Sequence, residues 1–375
     1  MVSTFEVRPL ALLGLAACLS GAGVHAQSLH NLSVLPGHAF AQALAVNRDG
    51  SVVVGDSAVD FFVDARAVRW TVCGGVQDLG LLPNATDMLA LGISRNGDAI
   101  AGFGFYPTRD FAFRWTAEGG LEDLGRLPGA VYGAGANGIN GDGTVVVGQS
   151  HSAADFHAFR WVEGQGMADL GTLPGGTYSY AMAVNRNGNV VVGFSSCTAG
   201  EDAFRWTPAN GMQPLARLFP EFAGAAFAVN ASGAFATGYS GPNAVRWLPN
   251  GQVQDLGILP GGTFSVGYAI SGDGKLVGGA SEDEFGHFVA MLWMPSIGMV
   301  DLRDLLDWFD IDWTGWQPSV VAGISADGGT VVGIGSYFGE ERGFVLELPC
   351  SGNGWNGSMH GHGGGHGHGG GHGHH

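Results

Sequence analysis

Seven histidines sit at the end of the chain, His360, His362, His366, His368, His372, His374 and His375, all set among glycines. Neutral imidazoles on a flexible backbone bind borderline metals, so the tail is a candidate Zn, Ni or Cu chelator. The alternative is an appended tag or an inert linker. Residues 351–375 are too poor in apolar side chains to build a core and are expected to be disordered. A second group of candidate ligands is the run Glu282-Asp283-Glu284. With Asp60, Asp64, Asp110, Asp155, Glu201, Asp202, Glu340 and Glu341 it recurs in equivalent loops, suggesting an acidic rim that could take Ca²⁺ or a basic ligand. The bland reading of that rim is solubility. The third group is aromatic: Trp308, Trp313 and Trp316 lie in one acid-rich insertion and are candidates for stacking on sugar rings, or for simply covering the core.

Five arginines, Arg69, Arg114, Arg160, Arg205 and Arg246, each precede a tryptophan. Equivalent copies spread through a chain do not converge on one substrate. Pairing with the recurrent Asp78, Asp123, Asp169, Asp255 and Asp301 is therefore expected, since guanidinium suits bidentate contacts. Asn140-Gly141-Asp142-Gly143 lacks the glutamate an EF-hand needs and reads as a hairpin turn. The sequence contains no Gly-x-Ser-x-Gly elbow, Walker-type loop or His-Glu-x-x-His. Carboxylates are abundant, so an enzyme acting on extracellular polysaccharide stays open as the alternative to a binding or structural module.

What must position these residues is a repeat. Seven hairpins share a turn ending in glycine, at Gly50, Gly97, Gly143, Gly188, Gly233, Gly274 and Gly328. The spacing is 47, 46, 45, 45, 41 and 54 residues, a period that signals an array or propeller. Each unit reads as four short strands: a small-residue run, a Val/Gly-rich run, a run ending in tryptophan, and a run such as Gly166–Gly171. The segment Leu29–Gly37 matches Val76–Asn84 and so is a fourth strand with no preceding three. The last unit has three strands and no fourth. The predicted fold is an all-β seven-bladed propeller closed by the N-terminal strand, with an open β-solenoid as runner-up. Alanine-rich runs should lie innermost and Trp70, Trp115, Trp161, Trp206, Trp247 and Trp293 between blades.

His157-Ala158-Phe159-Arg160-Trp161, Ala112–Trp115, Ala203–Trp206 and segments such as Asp169-Leu170-Gly171-Thr172-Leu173-Pro174-Gly175 resemble the HAF repeats of predicted extracellular repeat proteins. The resemblance spans about residues 29–348 and implies a secreted or surface-exposed repeat protein. It brings no catalytic residues. Gln213-Pro214-Leu215-Ala216 and Leu292 depart from the pattern.

Residues 1–26 read as a signal peptide. Arg8 precedes the apolar run Pro9–Leu19, and Val24-His25-Ala26 offers a cleavage site. Leu15-Ala16-Ala17-Cys18 is a competing lipobox that would place a lipid anchor on Cys18. Either way the chain is expected outside the cytoplasm, in the periplasm, on the surface or beyond a bacterium. No membrane span is expected. Residues 27–350 are the propeller, expected to be monomeric. A formal charge of −17 with a single lysine, Lys275, makes nucleic acid a poor partner and leaves a glycan or a surface protein. Closure would bring Cys73 near Cys350.

Overall fold

The computed structural model describes residues 29–60, 63–153 and 155–348. The leader, Cys18, Cys350 and the His-rich tail lie outside them. The chain is a seven-bladed β-propeller: seven four-stranded antiparallel sheets, occupying 40–78, 87–123, 134–169, 179–214, 224–257, 265–301 and 316–347. The seventh sheet is completed by the strand Leu29–Asn31, which pairs with Leu346, Val345 and Phe344. Leu32 then donates to the Gly343 carbonyl and is buried beside Val68, Trp70 and Val332. The expected closure is thus observed, with a paired strand three residues long. Among the described residues no helix is long and apolar enough to cross a membrane.

The turns explain the repeat. In each unit the first turn residue is a buried Asn or Ser. Its side-chain oxygen accepts the backbone N–H five residues on: Asn47 from Val52, Ser94 from Ala99, Asn140 from Val145, and likewise around the ring to Ser325 and Thr330. Short polar side chains favour such local bonds, which fix the hairpin from within the turn itself. The fourth turn residue is a glycine with φ near +80°, for example +78° at Gly143 and +73° at Gly188.

One feature absent from the sequence expectation recurs in all seven blades. The innermost strand carries a β-bulge, with one extra residue at Leu44, Leu91, Asn137, Met182, Phe227, Tyr268 and Ala322. The residue before the bulge is a buried alanine in five of the seven blades, whereas the bulge residues keep solvent access, so they line the axial channel. The alanine-rich strands are indeed innermost, but it is the bulge residues that fill the axis.

The expected arginine–aspartate pairing is corrected by the structure. The arginine of one blade lies over the tryptophan of the next: Arg69 is 5.5 Å from the Trp115 ring, Arg114 5.6 Å from Trp161, Arg160 6.0 Å from Trp206 and Arg246 4.6 Å from Trp293. Arg114 and Arg160 also donate to the turn carbonyls of Gly143 and Gly188, both at 2.8 Å. The aspartates stay within their own blade. Asp78, Asp123, Asp169 and Asp255 each accept from the N–H of the glycine two residues on. Asp301 instead caps the helix Leu302–Trp308. These arginines therefore join blades, although Arg246 also donates to Gln254 of its own blade at 2.8 Å.

Arg160→Met is expected to cost about 2 kcal/mol, from a charged hydrogen bond and a cation–π contact. In a double-mutant cycle by urea denaturation, Arg160 should couple to Trp206 by about 1 kcal/mol. Its coupling to Asp169 should stay near zero. Coupling to Asp169 of equal size would restore the intrablade pairing.

Candidate functional site

The ring has two different ends. One carries the loops between second and third strands together with the Leu-Pro connections; the other carries the Asn/Ser–Gly turns. The Leu-Pro connections are pinned by buried serines, Ser150 accepting from Leu127 N–H, Ser195 from Leu173 and Ser281 from Leu259.

The acidic rim lies at the first end, and most of its carboxylates are engaged locally. Asp64 pairs with Arg66 at 2.9 Å, Asp202 with Arg217 and Glu340 with Arg342. Of the run Glu282-Asp283-Glu284, Glu282 accepts from the Thr263 N–H at 3.1 Å. Asp283 accepts from the Phe285 and His287 N–H groups, and these bonds hold its carboxyl below the usual range. Glu284 is exposed. Among the described residues no group of three or more His, Cys, Asp or Glu side chains is placed to hold a metal ion.

The insertion forms the short helix Leu302–Trp308, with Leu302, Leu305 and Leu306 buried against blades six and seven. The three tryptophans separate. Trp308 is 61% exposed; Trp313 is half-buried, with its indole N–H donating to Asp307 at 2.7 Å; Trp316 is only 4% exposed and packs on Tyr337 and Phe344. Trp316 is thus core and offers no stacking face. The insertion covers the end of the sheet sandwich between blades, and Trp308 alone presents an open ring.

A larger aromatic arrangement at the same end went unread in the sequence. On blades three and four, Tyr132 meets His151 at 4.7 Å, His151 meets Phe156 at 5.3 Å, Phe156 stacks toward Tyr180 at 6.0 Å, and Tyr180 stacks on Phe194 at 5.0 Å. On blades five and six, Phe227 meets Tyr268 at 5.2 Å, and Tyr239, Phe264 and Phe288 follow at 5.9 and 6.2 Å. Glu201 joins the two halves. It accepts from the Tyr178 hydroxyl at 3.0 Å, and its charge, after burial, raises the Tyr239 phenol above its ordinary value. Burial, then Asp155 and Glu201, does the same to Tyr180. Tyr132 is 60% exposed and Tyr268 38%, so the arc is open to solvent at both ends.

Blades seven and one complete this mouth with a different chemistry. Gln42, on the innermost strand, donates to Glu341 at 2.6 Å. Beside them Asp56 is 6% exposed, its Oδ1 has no hydrogen-bond partner among the described residues, and burial followed by the Glu341 charge pushes its carboxyl up to about 7.

The opposite end closes into a funnel of about 470 Å³. Its floor is one β-branched residue per blade, Val46, Ile93, Ile139, Val184, Val229, Ile270 and Ile324. Its wall is the second residue of each turn, and adjacent turns are stitched by backbone bonds. Arg48 N–H donates to Arg95 C=O, Arg95 N–H to Gly141 C=O, Gly141 N–H to Arg186 C=O and Arg186 N–H to Ala231 C=O, at 3.0–3.3 Å.

No family model and no curated protein matches the chain. Solved structures do, at low identity. An oligogalacturonate lyase from Vibrio parahaemolyticus is 9% identical with a TM-score of 0.53, over 86% of this chain and 91% of that one. The Cps50 (Swd1) β-propeller domain from Myceliophteria thermophila is 12% identical with a TM-score of 0.51, over 86% of this chain and all of that domain. TolB from Acinetobacter baumannii gives 11% identity and a TM-score of 0.47, and this chain spans 62% of its length. At such identities the likeness is one of fold.

Proposed function

We propose that this propeller is an exported binding module that takes carbohydrate at the aromatic mouth of blades three to six. The single observation that supports it is the arc of half-exposed rings from Tyr132 to Phe288, interrupted by the carboxylates Asp155 and Glu201. Sugar rings present C–H faces to aromatic side chains and hydroxyls to carboxylates, so alternating rings and acids suit them. The arc sits on a rigid scaffold whose loops vary from blade to blade, where binding residues are usually found. Export rests on the leader and on the repeat resemblance. Metal capture by the histidine tail remains a separate proposal from the sequence.

A neutral-glycan array probed with the mature chain should yield at least one binder. Tyr180→Ala and Glu201→Gln should each weaken it about tenfold, while Trp308→Ala leaves it within about twofold. If the array is blank, or if Trp308→Ala alone abolishes binding, the aromatic mouth is not the site. Asp56 is the observation that favours the enzymatic alternative, because a carboxyl protonated near neutrality can serve as a general acid. Conversion of the bound glycan that stops in Asp56→Asn would decide for that reading.

A further inference from the structure

We propose that the funnel at the turn end of the axis binds a compact organic oxyanion, gripped by Arg48, Arg95 and Arg186 with its apolar part on the valine and isoleucine floor. The site is at the opposite end from the aromatic mouth and does not depend on the carbohydrate reading.

The chain has 16 basic and 33 acidic side chains, so a cation has an excess of carboxylates to choose from. Yet the innermost turn position carries arginine on blades one, two and four, and among the described residues none of the three forms an ion pair. Neighbouring guanidiniums repel, and partial burial together with the charges of Arg186 and Arg48 lowers the Arg95 pKa. Three guanidiniums that share one funnel and form no ion pair among the described residues make a local patch that favours an anionic occupant. The arginines that join blades, by contrast, all reach a ring or a carbonyl.

The carboxylates at this end do not fill that role. Asp49 accepts from Ser51 and Asp142 from Thr144, each within its own turn, and these bonds hold both carboxyls below their ordinary value. Asp273, on the far wall, pairs with Lys275 at 3.5 Å. Asp327 accepts from Ser325 and the Gly329 N–H in its own turn. Blade three contributes space instead of charge. A Cβ on Gly141 would lie 2.8 Å from the Arg186 Cγ, so the glycine lets the Arg186 stem lie across blade three toward Arg95.

The guanidinium fork fits carboxylate and phosphate oxygens. A volume near 470 Å³ suits a small organic molecule, and the β-branched floor rewards one with a carbon body over a bare ion. The carboxylates along the rim restrict entry to a ligand short enough to sit inside them, which disfavours polymers such as nucleic acid.

The test is calorimetric titration of the mature chain at low salt with citrate and, in a separate arm, with glycerol phosphate. One of the two should bind with unit stoichiometry, and which one does assigns the oxyanion as carboxylate or phosphoryl. Affinity should fall at least about tenfold in each of Arg48→Gln, Arg95→Gln and Arg186→Gln, and should weaken with added salt. Arg126→Gln, at the other end of the ring, should bind like the parent. All four side chains are on turns or loops, and an unchanged thermal midpoint confirms that the variants fold. Failure of both anions to bind the parent, or binding that survives all three funnel substitutions, overturns the proposal.

Discussion

Alanine at Gly148 is expected to lower the unfolding free energy by about 3 kcal/mol or more, a large cost for one methyl group. A Cβ there would stand 1.9 Å from the Gly135 carbonyl oxygen and 2.9 Å from the Ala136 Cα, both backbone atoms that no rotamer change can move. The cause is the bulge at Asn137, which turns the innermost strand so that a carbonyl occupies the space above the second strand. The same approach recurs at Gly55, Gly102, Gly193, Gly238, Gly279 and Gly333, at 1.9–2.0 Å each. The glycine of every Val-Val-Gly run is therefore the counterpart of a bulge. Gly164 provides the control. It has φ of +74° and no atom of the described residues within 4 Å of its Cβ position, so alanine there meets only backbone strain of about 1 kcal/mol. Urea denaturation of the two variants checks the difference. Equal costs would mean that close approach is not what selects Gly148.

That comparison shows where the sequence was readable. Period, strand count and closure were legible because each rests on residues that repeat: the turn glycines, the tryptophans, and the spare strand Leu29–Asn31 whose register matched a fourth strand. The bulges were not, since Leu44, Leu91, Asn137, Met182, Phe227, Tyr268 and Ala322 share no side-chain chemistry. The Arg–Asp expectation failed for a related reason. Arg160 and Asp169 are close in sequence, but the guanidinium extends to the next blade, and a contact across a repeat boundary leaves no local signal. The candidate sites suffer most. Arg48, Arg95 and Arg186 occupy a variable turn position that looks like filler until the ring brings the turns together. The aromatic mouth is likewise built from positions that differ in each unit, such as Tyr180, Tyr239 and Phe264. Trp316 misled in the opposite direction: its neighbours Trp308 and Trp313 suggested a platform, but it begins the innermost strand of blade seven and is buried with it.

Asp56→Asn should stabilise the protein, and increasingly so as pH rises. In the folded state burial, then the charge of Glu341, pushes the Asp56 carboxyl from 3.8 to about 7. An acid whose folded pKa lies above its unfolded value is best tolerated while protonated. Below about pH 4 the group is neutral in both states and takes nothing from stability. Between about pH 4 and 7 the unfolded chain releases its proton and the folded chain retains it, so stability falls by up to about 1.4 kcal/mol per pH unit. Above about 7 both states are ionised and the loss, of order 4 kcal/mol, is complete. Asparagine keeps the shape and cannot ionise. Its advantage over the parent should therefore be near zero at pH 4, grow through pH 5 and 6, and level off above 7. Using the difference between the two proteins cancels every other titrating group, provided that Glu341 behaves alike in both. Glu341→Gln tests that link: removing the neighbouring charge should make the curve level off at a lower pH and at a smaller advantage, its onset near pH 4 unchanged, because the unfolded chain sets the onset and burial is the larger cause. An advantage that does not change with pH would show that Asp56 ionises as an ordinary carboxylate, and would remove it as a candidate general acid in the same experiment.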